Sequence, residues 1–441
     1  MQSSQIWTVK KPSFGFISTR FHGNDGVSLE TQKWASVIRS KGCSVYFMAG
    51  DLDTDPEISH FAPLASFQNP EIAALNEQIF HSKNRTRMIS RRVQDIKEAL
   101  KDELESFYEK FRFNVLIVQN ALAIPLNIPL GLAITEFITE HEISTIAHHH
   151  DFFWERQRFN SLAAIDYLRN SFPPVHPCIQ HVVINSIAGD ELSRRTGVSW
   201  TLIPNIRDFT EKPPVIDSYS KDFREQIGID EDSLVVLQPT RIVSRKGIEI
   251  SIELVKRLEY PKAVLFITHE AGDEGFEYRE RIEEYAEFMG IEMKIIADRI
   301  ASTRKVLDNG TKLYTLEDVY LHTDVVTYPS LYEGFGNTFI EAIYFRKPII
   351  INRYPIFEAD IEPKGFEVIS FNRYITKQKI DEIHRLLDDK KQQEEMAEVN
   401  FMLGWRYFSY EFLTEKLEQL LMNIFGSKKI PPDKINKFKR S

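Results

Sequence analysis

The sequence has few cysteines and no long apolar run. Only Cys43 and Cys178 occur in 441 residues, so we expect free, reduced thiols rather than a disulfide framework. No apolar stretch reaches the roughly 18–20 residues that a membrane-spanning helix needs. The first residues also lack a basic segment followed by an apolar one. We therefore expect a cytoplasmic protein without a membrane span.

An excess of positive charge is missing as well. The net charge is −9, which disfavours broad binding to nucleic acid because that needs a basic surface. Residues 427–441 are the exception, with six Lys or Arg residues around one Asp. We expect this tail to be a solvated, mobile end, and a weak contact with an anionic partner is the alternative.

What the sequence does contain is typical of a large α/β protein. Short apolar, β-branched runs alternate with longer amphipathic stretches, which indicates buried parallel strands joined by helices in a doubly wound arrangement. A polar, proline-containing break at 208–220 suggests a linker between two domains of about 200 residues each. The predicted strands are 14–18, 45–49, 115–119, 144–148, 182–185, 234–238, 264–268, 294–297, 325–328 and 348–352.

Two loops in the second predicted domain carry chemistry. The segment 333–341 places Gly-Phe-Gly between Glu333 and Glu341, where a strand gives way to a helix that can bind an anion at its start. The alternative is a capping box, Thr338-x-x-Glu341, with a structural role only. Arg241 and Lys246 follow another strand and could clamp a diphosphate, although a basic surface turn is the simpler interpretation of that segment alone.

Together these residues resemble the signature of the retaining glycosyltransferase family four. The segment 202–208, Leu-Ile-Pro-Asn-x-x-Asp, is similar to that family's element before its interdomain linker. The resemblance implies the GT-B fold: two Rossmann-like doubly wound domains facing a cleft, with a C-terminal helix crossing back to the first domain. It implies an acceptor-binding domain at 1–208, a nucleotide-sugar-binding domain at 209–405, the crossing helix at 406–426 and the basic tail at 427–441.

The resemblance also implies roles for individual residues. Glu341 would bind the ribose hydroxyls of the donor, and Glu333 would contact the hydroxyls of the transferred sugar. Arg241 and Lys246 would stabilise the departing nucleoside diphosphate, where negative charge develops. The other implied donor-binding residues are Gly26, Gly334, Phe335, Gly336, Asn337 and Thr338.

Two segments of the first predicted domain are further candidates. Residues 23–30 resemble the family's glycine-rich first loop, with Asn24 and Asp25 facing the acceptor, and a plain strand-to-helix turn is the alternative. They lack Gly-x-Gly-x-x-Gly, so a dinucleotide site is not indicated.

Three consecutive histidines, 148–150, lie on an extended segment whose side chains alternate in direction, so we predict no metal site there. The resemblance implies that His149 or His150 meets the transferred sugar. Asp151, Arg156 and Arg158 are further candidates for acceptor binding. The two arginines could hold an anionic acceptor, and surface charge is the alternative for both.

The expected reaction is retaining transfer of mannose or glucose from GDP-mannose or UDP-glucose to a small hydroxyl acceptor. No cofactor is required in this interpretation, and any Mg²⁺ would come with the nucleotide rather than bind to protein side chains. The segments around 148–156 and 328–336 resemble enzymes that make glycerate-linked osmolytes, such as mannosylglucosylglycerate synthases, which suggests glucosylglycerate as acceptor. The rivals are sucrose- or trehalose-type synthesis and a GT-B sugar phosphorylase. The expected partners are the sugar nucleotide and a small polar acceptor, and a homodimer is left open.

Overall fold

The computed structural model describes Trp7 and residues 11–23, 25–271 and 276–426. Two compact units divide the chain. The first combines Met1–Ile206 with Tyr410–Ser441, and the second is Arg207–Ser409. Asn24 and the basic tail 427–441, both singled out above, lie outside the described residues.

A seven-stranded parallel sheet forms the centre of the first unit. Its strands are β1 (Phe14–Ile17), β2 (Val45–Ala49), β3 (Ser59–Phe61), β4 (Val115–Gln119), β5 (Thr145–His149), β6 (Ile179–Val183) and β7 (Trp200–Leu202). Their order across the sheet is β3-β2-β1-β4-β5-β6-β7. Every residue of β1 and β4 is buried, because apolar clusters cover both faces of the sheet.

The helices of the first unit supply those covering layers. They are α1 (Gly26–Ser40), α2 (Pro70–Phe80), α3 (Arg87–Phe111), α4 (Ile128–His141), α5 (Ile165–Ser171) and α6 (Ser186–Thr196). A C-terminal helix, Tyr410–Phe425, also belongs to this unit. Its Leu413 and Leu417 are fully buried in the same apolar cluster as Trp34 of α1. The predicted return of the C-terminal helix to the first domain is therefore confirmed.

The second unit is also built around a parallel sheet, which has six strands. They are β8 (Leu234–Gln238), β9 (Ala263–Ile267), β10 (Glu292–Ile295), β13 (Val325–Tyr328), β14 (Ile349–Asn352) and β15 (Ile369–Phe371), in the order β10-β9-β8-β13-β14-β15. A separate antiparallel ribbon pairs β11 (Lys305–Val306) with β12 (Lys312–Leu313). The helices are α7 (Phe223–Ile227), α8 (Ile248–Leu258), α9 (Phe276–Met289), α10 (Leu316–Leu321), α11 (Asn337–Tyr344), α12 (Lys377–Asp388) and α13 (Lys390–Phe408), so the C-terminal helix is α14.

Strand boundaries differ from the sequence predictions where side chains make local hydrogen bonds. β6 was predicted at 182–185, but Asn185 instead caps α6 by accepting from the Ala188 N–H at 2.8 Å. β3, β7 and β15 are three residues long each, too short for alternation to reveal. In the described part of the chain, no helix combines the length and apolarity that crossing a membrane requires.

The strand order marks where each unit can bind a ligand. In the first unit the order reverses at β1 and β4, and in the second it reverses at β8 and β13. Open parallel sheets bind ligands outside the carboxyl ends of strands at such reversals. The residues that follow these four strands are therefore the ones to examine for chemistry.

Candidate functional site

Two loops of the second unit meet at the carboxyl edge of its sheet, one after β8 and one after β13. The Leu331 N–H donates to the Arg245 carbonyl oxygen at 2.8 Å. Gly247 has a φ of 62°, and a Cβ at this position would lie 2.8 Å from the carbonyl oxygen of Pro329. Only glycine combines that backbone conformation with so close an approach, so Gly247 lets the two loops pack together.

A buried charge cluster joins these loops. The Lys246 ammonium donates to Glu333 Oε1, and Arg245 Nη1 donates to Glu333 Oε2 at 3.2 Å. Burial alone would raise the pKa of Glu333, but the charge and hydrogen bond of Lys246 outweigh burial and hold that pKa below its usual value. Burial lowers the pKa of Lys246, and the carboxylate of Glu333 opposes that change. Glu333 is therefore an ionised carboxylate inside a predominantly positive cluster.

Arg241 stands at the exposed start of the same loop. His269 follows β9. Burial of the His269 ring lowers its pKa, and the nearby charges of Arg241 and Lys246 lower it further. The three side chains thus share one electrostatic environment at the ends of neighbouring strands. Neither Arg245 nor His269 was among the predicted site residues. The position of His269 directly after a predicted strand was the signal that could have identified it.

The Gly-Phe-Gly turn is shaped by the residues behind it. Gly336 has a φ of 132°, and a Cβ there would lie 2.6 Å from Tyr354 Oη. That hydroxyl donates to the Phe335 carbonyl oxygen at 2.7 Å. The Phe335 ring is buried and packs edge-on against Phe408. The Phe335 side chain is therefore not available to a donor, and only its backbone could make the predicted contact.

The start of α11 contradicts the capping-box interpretation. Gly336 is the residue at the N-cap, and the helix begins at Asn337, so Thr338 already lies inside the first turn. Glycine has no side chain with which to close the helix start, and the positive end of the helix dipole faces the turn. The Glu341 carboxylate accepts a hydrogen bond from Tyr320 Oη at 3.1 Å. Burial and the Glu341 charge raise the pKa of Tyr320 well above its ordinary value.

In the first unit, the three histidines after β5 alternate in direction as their extended backbone predicts. The His149 ring lies 2.9 Å from His181 through Nε2 and Nδ1. The rings of His148 and His150 lie on the Gln119 side, where Gln119 Oε1 is 2.9 Å from His148 Nδ1 and 3.3 Å from His150 Nε2. Burial lowers the pKa of all four histidines, to about 4 for His150 and His181. They are neutral at physiological pH.

The loop that follows β5 is fixed by Asn120, a residue that sequence reasoning missed. Asn120 has a φ of 59°, its Oδ1 accepts from the His150 backbone N–H at 3.0 Å, and its Nδ2 donates to Asp151 Oδ1 at 2.9 Å. Asp151 also forms an ion pair with Arg156. Asn tolerates the left-handed conformation better than most residues, so an Asn directly after a predicted strand was an available signal.

Arg156 and Arg158 were predicted to act together, but their side chains have different surroundings in the structure. Arg156 lines a cleft of about 920 Å³ in the first unit, together with Trp154, Arg169 and Arg195. The guanidinium carbon of Arg158 instead lies 4.6 Å from the ring centroid of Phe159. Arg156 is therefore the better placed of the two predicted arginines to hold an anionic ligand.

The first loop of the first unit, which follows β1, holds the start of α1 in place. Asp25 caps α1, since its Oδ1 accepts from the backbone N–H groups of Val27 and Ser28 at 3.0 and 3.2 Å. Gly26 is the first residue of α1, and an added Cβ there would meet no atom within 4 Å. No cluster of three or more His, Cys, Asp or Glu side chains suited to a metal ion occurs among the residues that the structure describes.

Comparison with known proteins places these features in a family. A family model described as glycosyl transferases group 1 matches residues 220–400. The chain is 32% identical to the mannosylglucosylglycerate synthase of Petrotoga mobilis over 381 residues, which cover 81% of this chain and 86% of that protein. It is 30% identical to the mannosylglucosylglycerate synthase of Thermotoga maritima over 428 residues, which cover 90% and 96%.

Solved structures share the fold at lower identity. Anabaena HepE, in complex with UDP and glucose, has a TM-score of 0.61 at 13% identity and covers 93% of this chain and 99% of its own. Sucrose-phosphate synthase from Thermosynechococcus elongatus has a TM-score of 0.60 at 16% identity, with coverage of 95% and 100%. These similarities, together with the two parallel sheets, confirm the predicted GT-B fold.

Proposed function

The chain belongs to the group 1 glycosyltransferases, and from that premise we propose that it transfers a hexosyl group, with retention of configuration, from a nucleoside diphosphate sugar to a small hydroxyl acceptor. The second unit would bind the donor and the first unit the acceptor. The observation that carries the proposal is the Glu333 carboxylate, held by Lys246 and Arg245 beside a glycine turn at a helix start.

The positive cluster suits the diphosphate of a donor. Arg241 is exposed, and Lys246 supplies a second cation at the end of the same strand. Negative charge grows on the leaving diphosphate as the glycosidic bond breaks, and cations fixed in advance stabilise that charge without reorganising. We propose that Arg241 and Lys246 fill this role and that the protein therefore needs no metal ion of its own.

The surroundings of Glu333 support retention without a covalent intermediate. Both of its carboxylate oxygens have cationic partners, Lys246 on one and Arg245 on the other, which makes Glu333 a poor nucleophile. We propose that the acceptor oxygen attacks the anomeric carbon from the face that the diphosphate leaves. The new C–O bond forms as the old one breaks, and the acceptor proton passes to the departing phosphate oxygen.

For the substrates, we propose a glycerate-linked sugar such as glucosylglycerate as acceptor and GDP-mannose or UDP-glucose as donor. The two mannosylglucosylglycerate synthases support this assignment, since the similarity extends over 81% and 90% of this chain. The ion pair of Arg156 with Asp151 at the edge of the large cleft supplies a cation on the acceptor side. The rings of His149 and His150 are neutral and point in opposite directions, and one of the two would face the transferred sugar.

A matrix of donors and acceptors tests the proposal. The purified chain is incubated with GDP-mannose, UDP-glucose or ADP-glucose and with glucosylglycerate, fructose 6-phosphate or glucose 6-phosphate. Release of nucleoside diphosphate gives the rate, and the one-bond carbon–proton coupling constant at the anomeric centre gives the configuration of the product. We expect an α-linked product with glucosylglycerate. Transfer only to a sugar phosphate would favour sucrose- or trehalose-type synthesis, and an inverted product would rule out retention.

A further inference from the structure

A small pocket lies at the carboxyl ends of β1 and β4, where the strand order of the first unit reverses. Its volume is about 110 Å³, and Thr19, Arg20, Asp25, Phe67, Gln119 and Asn120 are among the residues that line it. The Ser18 hydroxyl donates to the Gln119 carbonyl oxygen at 2.9 Å and ties the two strand ends together. None of the roles assigned above includes Arg20 or Gln119.

The Arg20 side chain is held in place by Asp25 and Phe67, and these contacts leave some of its N–H donors available. Its Nη2 lies 3.2 Å from Asp25 Oδ2, and its guanidinium carbon lies 5.3 Å from the ring centroid of Phe67. A guanidinium carries five N–H donors in a rigid fork. Among the residues that the structure describes, no second carboxylate pairs with Arg20. The remaining donors can therefore receive a planar anion.

Gln119 offers a second donor. Its side chain is fully buried, and its Oε1 faces the rings of His148 and His150. The Nε2 of Gln119 is buried without a hydrogen-bond partner in the described part of the chain. Burying an amide N–H without an acceptor is costly, so an acceptor atom from a ligand in the pocket would relieve that cost.

Asp25 acts on Arg20 rather than on a ligand. Besides the two backbone N–H groups of Val27 and Ser28, its carboxylate accepts from the Ser28 hydroxyl at 2.6 Å and pairs with Arg20. These contacts occupy the roughly four lone pairs that a carboxylate presents. Asp25 is thus a positioning residue for Arg20.

We propose that this pocket binds the carboxylate end of a small hydroxy acid. Arg20 would hold the carboxylate through two parallel N–H donors, and the Gln119 amide would donate to the neighbouring hydroxyl oxygen. The pocket volume of about 110 Å³ is several times what one water molecule needs, roughly 10–15 Å³, so the pocket has room for a small acid fragment. The inference rests on the proposed function, because it assigns the acid end of the acceptor to this pocket and leaves Arg156 to the rest of the acceptor.

Binding of the acid fragment alone tests the proposal. The full chain is titrated with D-glycerate and with glycerol, which has the same carbon chain without the carboxylate, and binding is followed by ligand-observed NMR. We expect D-glycerate to bind at least about tenfold more tightly than glycerol, and Arg20→Met to weaken glycerate binding by about 10- to 100-fold. Arg39→Met is the matched control, because Arg39 also lies over a ring, Phe47 at 5.4 Å, but does not line the pocket.

The outcomes separate this inference from the proposed function, since the titration needs neither a sugar nucleotide nor turnover. Equal binding of glycerate and glycerol, or glycerate binding that Arg20→Met leaves unchanged, would overturn the pocket assignment even if transfer to glucosylglycerate is observed. Selective glycerate binding without any transfer would contradict the proposed function alone. If Arg20→Met fails to fold, Arg20→Lys keeps the charge but not the fork, and its glycerate affinity should still fall.

Discussion

Lys246 and Glu333 form a buried ion pair although 87 positions separate them in the chain. Each residue follows a central strand, β8 or β13, and these strands are neighbours in the sheet. A buried ion pair is weak evidence of a stabilising role, because removing two charges from water costs about as much as their attraction returns. Its position at the reversal of strand order agrees better with a role in binding an anion.

Removing one or both members of that pair should separate stability from activity. We expect Lys246→Met to lower the free energy of unfolding by about 3 kcal/mol, the lower end of the usual cost, because Arg245 remains as a cationic partner of Glu333. The double variant Lys246→Met/Glu333→Gln also removes the negative charge of Glu333, which Lys246 no longer balances. It should regain part of that stability, whereas transferase activity should stay low. Urea denaturation and initial rates measure the two quantities. Recovery of activity along with stability would contradict a role in catalysis.

Arg241 allows a cleaner test of donor-phosphate binding. It is exposed and has no carboxylate partner within the described ranges, so Arg241→Ala should change the free energy of unfolding by less than about 0.5 kcal/mol. We expect kcat/KM for the sugar nucleotide to fall by about 10²- to 10³-fold, the usual cost of losing one electrostatic stabiliser. Arg385→Ala, which removes an exposed arginine from α12, is the control and should match the unmodified chain in both measurements.

The turn at Gly336 should tolerate no side chain. A Cβ would lie 2.6 Å from Tyr354 Oη at a φ of 132°, so Gly336→Ala combines backbone strain with a steric clash. Gly365→Ala is the matched control, because Gly365 has a φ of 86° but nothing within 4 Å of an added Cβ. We expect the control to cost about 1 kcal/mol and Gly336→Ala clearly more, with weaker donor binding by calorimetry. Equal effects of the two substitutions would show that the clash is relieved.

The sequence allowed the α/β class and most strand positions to be predicted, since buried parallel strands give continuous apolar runs. It did not reveal which loops meet, because strand order has no local signal. Thus Lys246 and Glu333 were predicted to act in one site, but their direct pairing and the contribution of Arg245 depend on β8 lying beside β13. Arg20 and Gln119 were missed for the same reason, since they line one pocket only because β1 pairs with β4.

Acid should destabilise the protein before its carboxylates titrate. The pKa values of His148, His149, His150 and His181 are lowered by burial, to about 4 for the last two. In the unfolded chain these histidines take up protons near pH 6.5, so the unfolded state binds more protons and stability falls as pH drops from about 6.5 towards 4. Each such histidine contributes a slope of up to about 1.4 kcal/mol per pH unit. Urea denaturation between pH 7.5 and 5 measures this slope.

His181→Asn is the variant that identifies the source of this pH dependence. His181 is 3% exposed and contacts His149, and asparagine does not titrate in this range. We expect the variant to be less stable at pH 7.5 but to lose less stability on acidification. A slope equal to that of the unmodified chain would assign the acid sensitivity to other groups.

The C-terminal helix should be required for the stability of the first unit. Leu417 of α14 is fully buried in the apolar cluster that contains Trp34, and Leu→Ala substitutions at such positions cost about 2–5 kcal/mol because they leave a cavity. We therefore expect Leu417→Ala to lower the free energy of unfolding by that amount. Glu415→Ala is the control, because Glu415 lies two residues away in the same helix but is exposed, and it should change stability by less than about 0.5 kcal/mol. Urea denaturation compares the two, and similar small effects would mean that α14 contributes little to the core.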